Sequence, residues 1–143
     1  MTPVFKEIIL LFGSFVTMKV LITGGSRGIG KAIAEVFSDK ASCIIINATS
    51  QDNLKKAAEQ IRSSGCSAKI ETFKADLADK VALDDLVSFI KEQIGALDVL
   101  VNNAGCFIPG KIIDEPDGIL EKLMDTNLYS AYYLTRGLLP LLK

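Results

Sequence analysis

The chain has 143 residues, 49% hydrophobic and 23% charged, the composition of a single globular domain. A formal net charge of −1, with no basic block or acidic tail, excludes the electrostatic footprint of a nucleic-acid or lipid-surface binder and leaves a small-molecule partner. Histidine is absent, which excludes Ser-His and Cys-His nucleophile pairs and His-based metal sites; three cysteines (Cys43, Cys66, Cys106) without CxxC spacing fit reduced thiols in a cytoplasmic protein.

Residues 1–17, MTPVFKEIILLFGSFVT, hold an apolar stretch from Ile8 to Val16 that Gly13 and Ser14 interrupt. It falls far short of the ~20 residues of a membrane span, and no small-residue cleavage site follows it. Residues 1–17 read as an extension outside the fold, with a weak membrane-surface anchor as the competing reading.

From Lys19 onward, short β-branched runs alternate with amphipathic stretches, the pattern of βαβ units and a parallel sheet. KVLIT (19–23) is too short for a helix and ends in glycines, so it reads as a buried strand. Ile29, Ile33, Val36 and Phe37 then recur at helical spacing, and CIII (43–46) forms a second strand. A polar-faced helix over 51–63 closes near Gly65, a residue suited to the position after a helix. AKIETF (68–73) is the third strand, 81–94 an amphipathic helix stopped at Gly95, and LDVLV (97–101) the fourth strand. A long helix follows from about Asp117 to Pro140, with Leu120, Leu123, Met124, Leu128, Ala131, Thr135, Leu138 and Leu142 as its apolar stripe. There is no repeat, low-complexity segment or linker. Right-handed crossovers and a reversal after the third strand predict one doubly wound α/β domain over residues 18–143, with strand order 3-2-1-4.

TGGSRGIG (23–30) lies between the first strand and the first helix. There, Gly24 permits a tight turn, Gly28 a close approach of backbone to pyrophosphate, and Gly30 close packing of the helix. Alone, such a loop is weak evidence, since a structural strand-to-helix turn accounts for about one such match in three. Two further segments reach the same rim: Asp76-Leu77 after the third strand, and VNNAG (101–105) after the fourth, whose asparagines can also serve only to satisfy loop backbone. In an open parallel sheet the ligand lies at the carboxyl edge where the strand order reverses.

TGGSRGIG, Asp76-Leu77, NNAG and the later Asn127, at these spacings, resemble the short-chain dehydrogenase/reductase family over Met18 to Lys143, and so imply a Rossmann-type fold. NATS (47–50) and the glycine loop look closest to the 3-oxoacyl-carrier-protein reductases. By this resemblance, Gly24, Ser26, Arg27, Gly28, Ile29 and Gly30 surround the pyrophosphate and adenosine ribose. Asp76 accepts from the adenine amino group beside Leu77, and Asn103, Ala104 and Gly105 line the ribose. A homo-oligomer is expected for the full-length family member.

Cofactor choice rests on the ribose 2′ position, where a carboxylate favours a hydroxyl and a cation favours a phosphate. The second strand runs out through Asn47, Ala48, Thr49 and Ser50, with no acidic residue. Arg27 points at that corner, and Thr49 and Ser50 add hydroxyl donors, which favours NADP(H) over NAD(H).

Asn127 falls within the apolar stripe of the last helix, where a buried amide needs partners for its donors and acceptor. It reads either as a core asparagine fixing helix register or, by the resemblance, as the active-site Asn, which bends the helix and holds a water in a proton relay to lysine. The family's catalytic Ser and Tyr-x-x-x-Lys are missing: none of Tyr129, Tyr132 and Tyr133 has a lysine four residues later. The sequence therefore reads as the cofactor-binding half of a carbonyl reductase or alcohol dehydrogenase, truncated after the fourth strand and its helix and inactive alone. The competing readings are a non-catalytic dinucleotide-binding module and a non-functional remnant. LDVLV, apolar where a self-sufficient module would carry a charged edge, favours the first.

Overall fold

The computed structural model describes residues 18–142; the extension read over residues 1–17 lies outside the described residues. Four parallel strands form the sheet: β1 (Lys19–Ile22), β2 (Cys43–Ala48), β3 (Lys69–Lys74) and β4 (Val99–Val101), in the order β3-β2-β1-β4. The expected 3-2-1-4 order is thus the observed one. Strand β1 is central, with Val20 opposite both Ile44 and Val99, and its Val20, Leu21 and Ile22 are fully buried.

Alternation of side chains along the strands divides the core in two. Val20, Ile22, Ile44, Ile46 and Ile70 pack with helices α1 (Gly28–Val36) and α2 (Gln51–Ser63). Leu21, Cys43 and Ile45 face the other way, onto α3 (Lys80–Phe89) and α5 (Ser130–Leu138). A sheet covered on both faces needs nearly continuous apolar strands, and the sequences VLI and IIIN provide them.

Helix α2 matches its predicted span. Ser50 caps it, accepting from the Asn53 N–H at 3.3 Å, and Gly65 follows at φ 91°. The other helices depart from the expected stripes. In α1, Ile29 and Val36 are 75% and 60% exposed, whereas Gly30 and Ala34 are buried. The start of this helix lies too close to the β1 loop for a large side chain, so the smallest residues face inward. Helix α3 is capped by Asp79, whose carboxylate accepts from Val81 N at 2.8 Å, and continues as a π-helical turn over Ile90–Ile94 to Gly95.

The last helix is continuous from Ile119 to Leu138, as expected, but it is not α-helical throughout. It begins as α4 (Ile119–Met124), widens into a π-helical segment over Asp125–Tyr129, and resumes as α5. A π turn bonds i to i+5, so each such turn holds an extra residue and the 3.6-residue phase is lost across it. The buried residues of α5 are Ser130, Leu134 and Leu138, while Leu120 and Leu128 of the expected stripe stand exposed. Strand β4 is shorter than expected: Leu97, two residues before it, forms only an isolated parallel bridge to Leu142. Among the described residues no helix is long and apolar enough to cross a membrane.

Candidate functional site

The loops leaving the four strands meet at the carboxyl edge of the sheet, and their own polar groups fasten them together. Thr23, directly after β1, is 1% exposed, and its hydroxyl accepts from the Asn103 and Ala104 amides at 3.0 and 2.9 Å. In return, the Asn103 side-chain amide donates to the carbonyls of Thr23 and Gly24 at 2.9 and 3.2 Å. The two loops flanking the strand-order reversal therefore hold each other. Toward β3, Gly25 N donates to Asn47 O at 2.9 Å, and the buried Asn47 side chain donates to Phe73 O and Ala75 O, both at 3.1 Å. The backbone of each neighbouring loop finds its partner in the next, which is how a buried loop avoids orphaned polar groups.

Glycine is required in this lattice for two distinct reasons. A Cβ on Gly24 would come within 2.9 Å of Asn103 Nδ2 and 3.0 Å of Ala104 Cα, and a Cβ on Gly30 would strike the Gly24 carbonyl. Gly28 is the opposite case: φ is 54°, and nothing lies within 4 Å of where a Cβ would sit. It leaves open space at the start of α1, whose first-turn N–H groups have no intrahelical acceptors.

In front of these loops lies a crevice of about 500 Å³. Of the residues expected to hold a cofactor, Gly24, Ser26, Arg27, Gly28, Ile29, Thr49, Asp76, Leu77, Asn103, Ala104 and Gly105 line it. Gly30 and Ser50 do not. Gly30 is packed beneath the loop against Gly24 and Asn103, and Ser50 Oγ is engaged as the α2 cap. Asp76 Oδ1 accepts from Ala78 N at 3.0 Å, which shapes the turn leading to Asp79 and the start of α3.

The sequence reading missed several of the walls. Thr23 and Asn47 are the fasteners of the loops, and Cys106, Lys122 and Thr126 line the crevice. Cys106 directly follows NNAG. Lys122 and Thr126 stand four residues apart ahead of Asn127, a spacing that puts them on one helix face. Arg27, Asp76 and Lys122 are the charged side chains of the lining.

Asn127 is placed differently from the expected buried amide: it is exposed and sits within the π-helical segment. Its Oδ1 accepts from Cys106 N at 2.7 Å and its Nδ2 donates to Cys106 O at 2.9 Å. Both polar groups of the amide thus clasp the backbone of the residue after Gly105 and tie the β4 loop to the last helix. All three cysteines are free, with Cys43 buried. Burial, reinforced by the nearby Glu71, pushes the Cys43 thiol above its usual range. No cluster of three or more acidic, Cys or His side chains suited to a metal occurs among the described residues.

A sequence profile of the short chain dehydrogenases matches residues 18–143. The chain belongs to the short-chain dehydrogenase family. Over 119 residues this short-chain dehydrogenase chain is 38% identical to the 3-oxoacyl-[acyl-carrier-protein] reductase FabG of Haemophilus influenzae, a match covering 83% of this chain and 47% of that protein. It is 32% identical over 123 residues to the CLA biosynthesis dehydrogenase/reductase of Lactiplantibacillus plantarum, covering 86% of the chain and 42% of the relative. The fold superposes on L-sorbose reductase from Gluconobacter frateurii, complexed with NADPH and L-sorbose, with a TM-score of 0.80 and 31% identity, covering 86% of this chain and 46% of that one. A metagenomic short-chain oxidoreductase in complex with NADP gives a TM-score of 0.79 at 28% identity, covering 86% of this chain and 55% of the other. The short-chain dehydrogenase chain spans somewhat less than half the length of these two curated relatives, 47% and 42%.

Proposed function

We propose that residues 18–143 form the dinucleotide-binding part of an NADP(H)-dependent oxidoreductase that interconverts a small-molecule carbonyl and an alcohol. The carrying observation is the crevice itself. It brings the open start of α1, Arg27, Thr49 and Asp76 to one rim, with no carboxylate at the β2 exit. The donor set suits a dinucleotide: first-turn N–H groups and the helix dipole for the pyrophosphate, a guanidinium and a hydroxyl for a 2′-phosphate, and an acceptor at Asp76 for the adenine amino group. When bound, the nicotinamide would supply the hydride. This chain's own residues bind and orient: Asn103 and Thr23 keep the ribose-facing loop in shape, and Asn127 fixes its far end through Cys106. On this reading, residues 1–17 stand outside the fold, the site is cytoplasmic, and the full-length protein is a homo-oligomer.

The test is calorimetric titration of the purified chain with NADPH and with NADH. Tighter binding of NADPH is expected, with the preference shrinking in Arg27→Ala; equal affinity in the parent refutes the cofactor assignment. The same preparation should show no ketone-dependent NADPH oxidation, because a positioned general acid contributes about 10²–10⁴-fold and none of the three tyrosines stands in a Tyr-x-x-x-Lys. Robust turnover would place the chemistry on residues other than those assigned.

A further inference from the structure

We propose that Lys122 is a specificity-determining residue of the crevice, a second cation that selects a dinucleotide bearing a 2′-phosphate. The inference rests on the dinucleotide reading above and deepens it. Lys122 lines the crevice with Thr126, one helical turn away. The helix carrying them runs beside the Leu77 turn: a small cavity of about 110 Å³ that shares Leu77 with the crevice is lined by Leu77 and Ala78 together with Asp125 and Tyr129. Lys122 thus lines the same crevice as Asp76 and Leu77, on the helix that borders their turn. Arg27 reaches the crevice from α1, which packs on one face of the sheet. The segment bearing Lys122 leads into α5, which packs on the other. The two cations therefore approach from opposite sides.

Charge arithmetic makes Lys122 decisive. Arg27 and Lys122 against Asp76 leave the lining with one net positive charge; without Lys122 the cation and the carboxylate cancel. A 2′-phosphate adds nearly two negative charges at the adenosine end. The pyrophosphate, common to both dinucleotides, is already served by the start of α1. An ammonium on a flexible stem acts as a point charge at a distance, so its effect is graded, sensitive to salt and reproduced by arginine.

The experiment titrates the 143-residue chain and its Lys122→Gln, Lys122→Glu and Lys122→Arg variants with NADPH, NADH and adenosine 2′,5′-bisphosphate, at low salt and at high salt. Lys122→Gln should weaken NADPH and the bisphosphate severalfold, the scale of removing one charge's attraction for a near-dianion through water. Lys122→Glu should weaken them further, NADH should change less than about twofold, and high salt should erase the differences. Lys122→Arg should bind like the parent. Unchanged NADPH affinity in Lys122→Gln overturns the inference while leaving the dinucleotide reading intact, as does an equal loss for NADH. A parent chain that binds neither dinucleotide overturns both. Lys122 is exposed, and unchanged far-ultraviolet circular dichroism separates an affinity loss from unfolding.

Discussion

Replacing Thr23 with valine keeps the shape of a fully enclosed side chain and deletes one oxygen. The hydroxyl serves three groups, and the deletion affects them unequally. Val101 O, its acceptor at 3.3 Å, still receives Thr23 N at 3.0 Å. Asn103 N is shared with Val101 O at 3.1 Å and so loses one branch of a bifurcated bond. Ala104 N has the Thr23 hydroxyl as its partner at 2.9 Å and is orphaned. One orphaned donor costs about 1–3 kcal/mol and a weakened bond about half a kcal/mol, so Thr23→Val should lose about 2–3 kcal/mol. That is a large part of the 5–15 kcal/mol typical of a domain. Thr23→Ser keeps the oxygen and removes a methyl, a loss of about 1 kcal/mol. Urea unfolding of the two variants against the parent should therefore rank parent, Ser, Val. A valine variant as stable as the serine variant would show that the hydroxyl does not hold the two loops together.

Three further outcomes are expected. Gly30→Ala should lose the more, about 3 kcal/mol, because its Cβ would meet both the Gly24 carbonyl and Asn103 Nδ2, whereas Gly28→Ala should lose only about 1 kcal/mol from its positive φ; thermal melts separate them, and equal losses would contradict the packing described. Asn127→Ala frees the Cys106 backbone, so alkylation of the half-buried Cys106 thiol by iodoacetamide should quicken severalfold, and an unchanged rate would place the restraint elsewhere. The Cys43 thiol is raised by burial first and by Glu71 second, so it holds its proton more tightly folded than unfolded. Its contribution is intact below about pH 9 and is lost as pH rises through the folded value; Cys43→Ala should flatten the alkaline fall in stability measured by urea unfolding at a series of pH values.

The sheet was readable in the sequence because β1 and β2 are buried on both faces, which demands apolar runs too short for helices. Strand order then followed from crossover handedness. The glycine loop was readable because backbone geometry leaves no other residue at Gly24. The helices were read less well where packing overrode pattern: Ile29 and Val36 look like core residues by spacing, yet α1 buries Gly30 and Ala34 and packs Ile33 against the core. The π-helical segment has no local signal, so the stripe drawn through Leu120 and Leu128 ran off the buried face. The roles of Thr23, Asn47 and Lys122 are not legible in the sequence because they depend on partners 26 to 81 residues away, or on a cavity, and neither is visible in spacing.

The chain of bonds from Ala75 through Asn47 and Gly25 to Thr23, Asn103 and Ala104 joins four strand ends without a free joint. Segments fastened in series open together or not at all, so the amides of Gly25, Ala75 and Ala104 should exchange with solvent deuterium through one shared event. A molecule that settles against any one of these loops would then slow exchange in all of them, including loops it never touches.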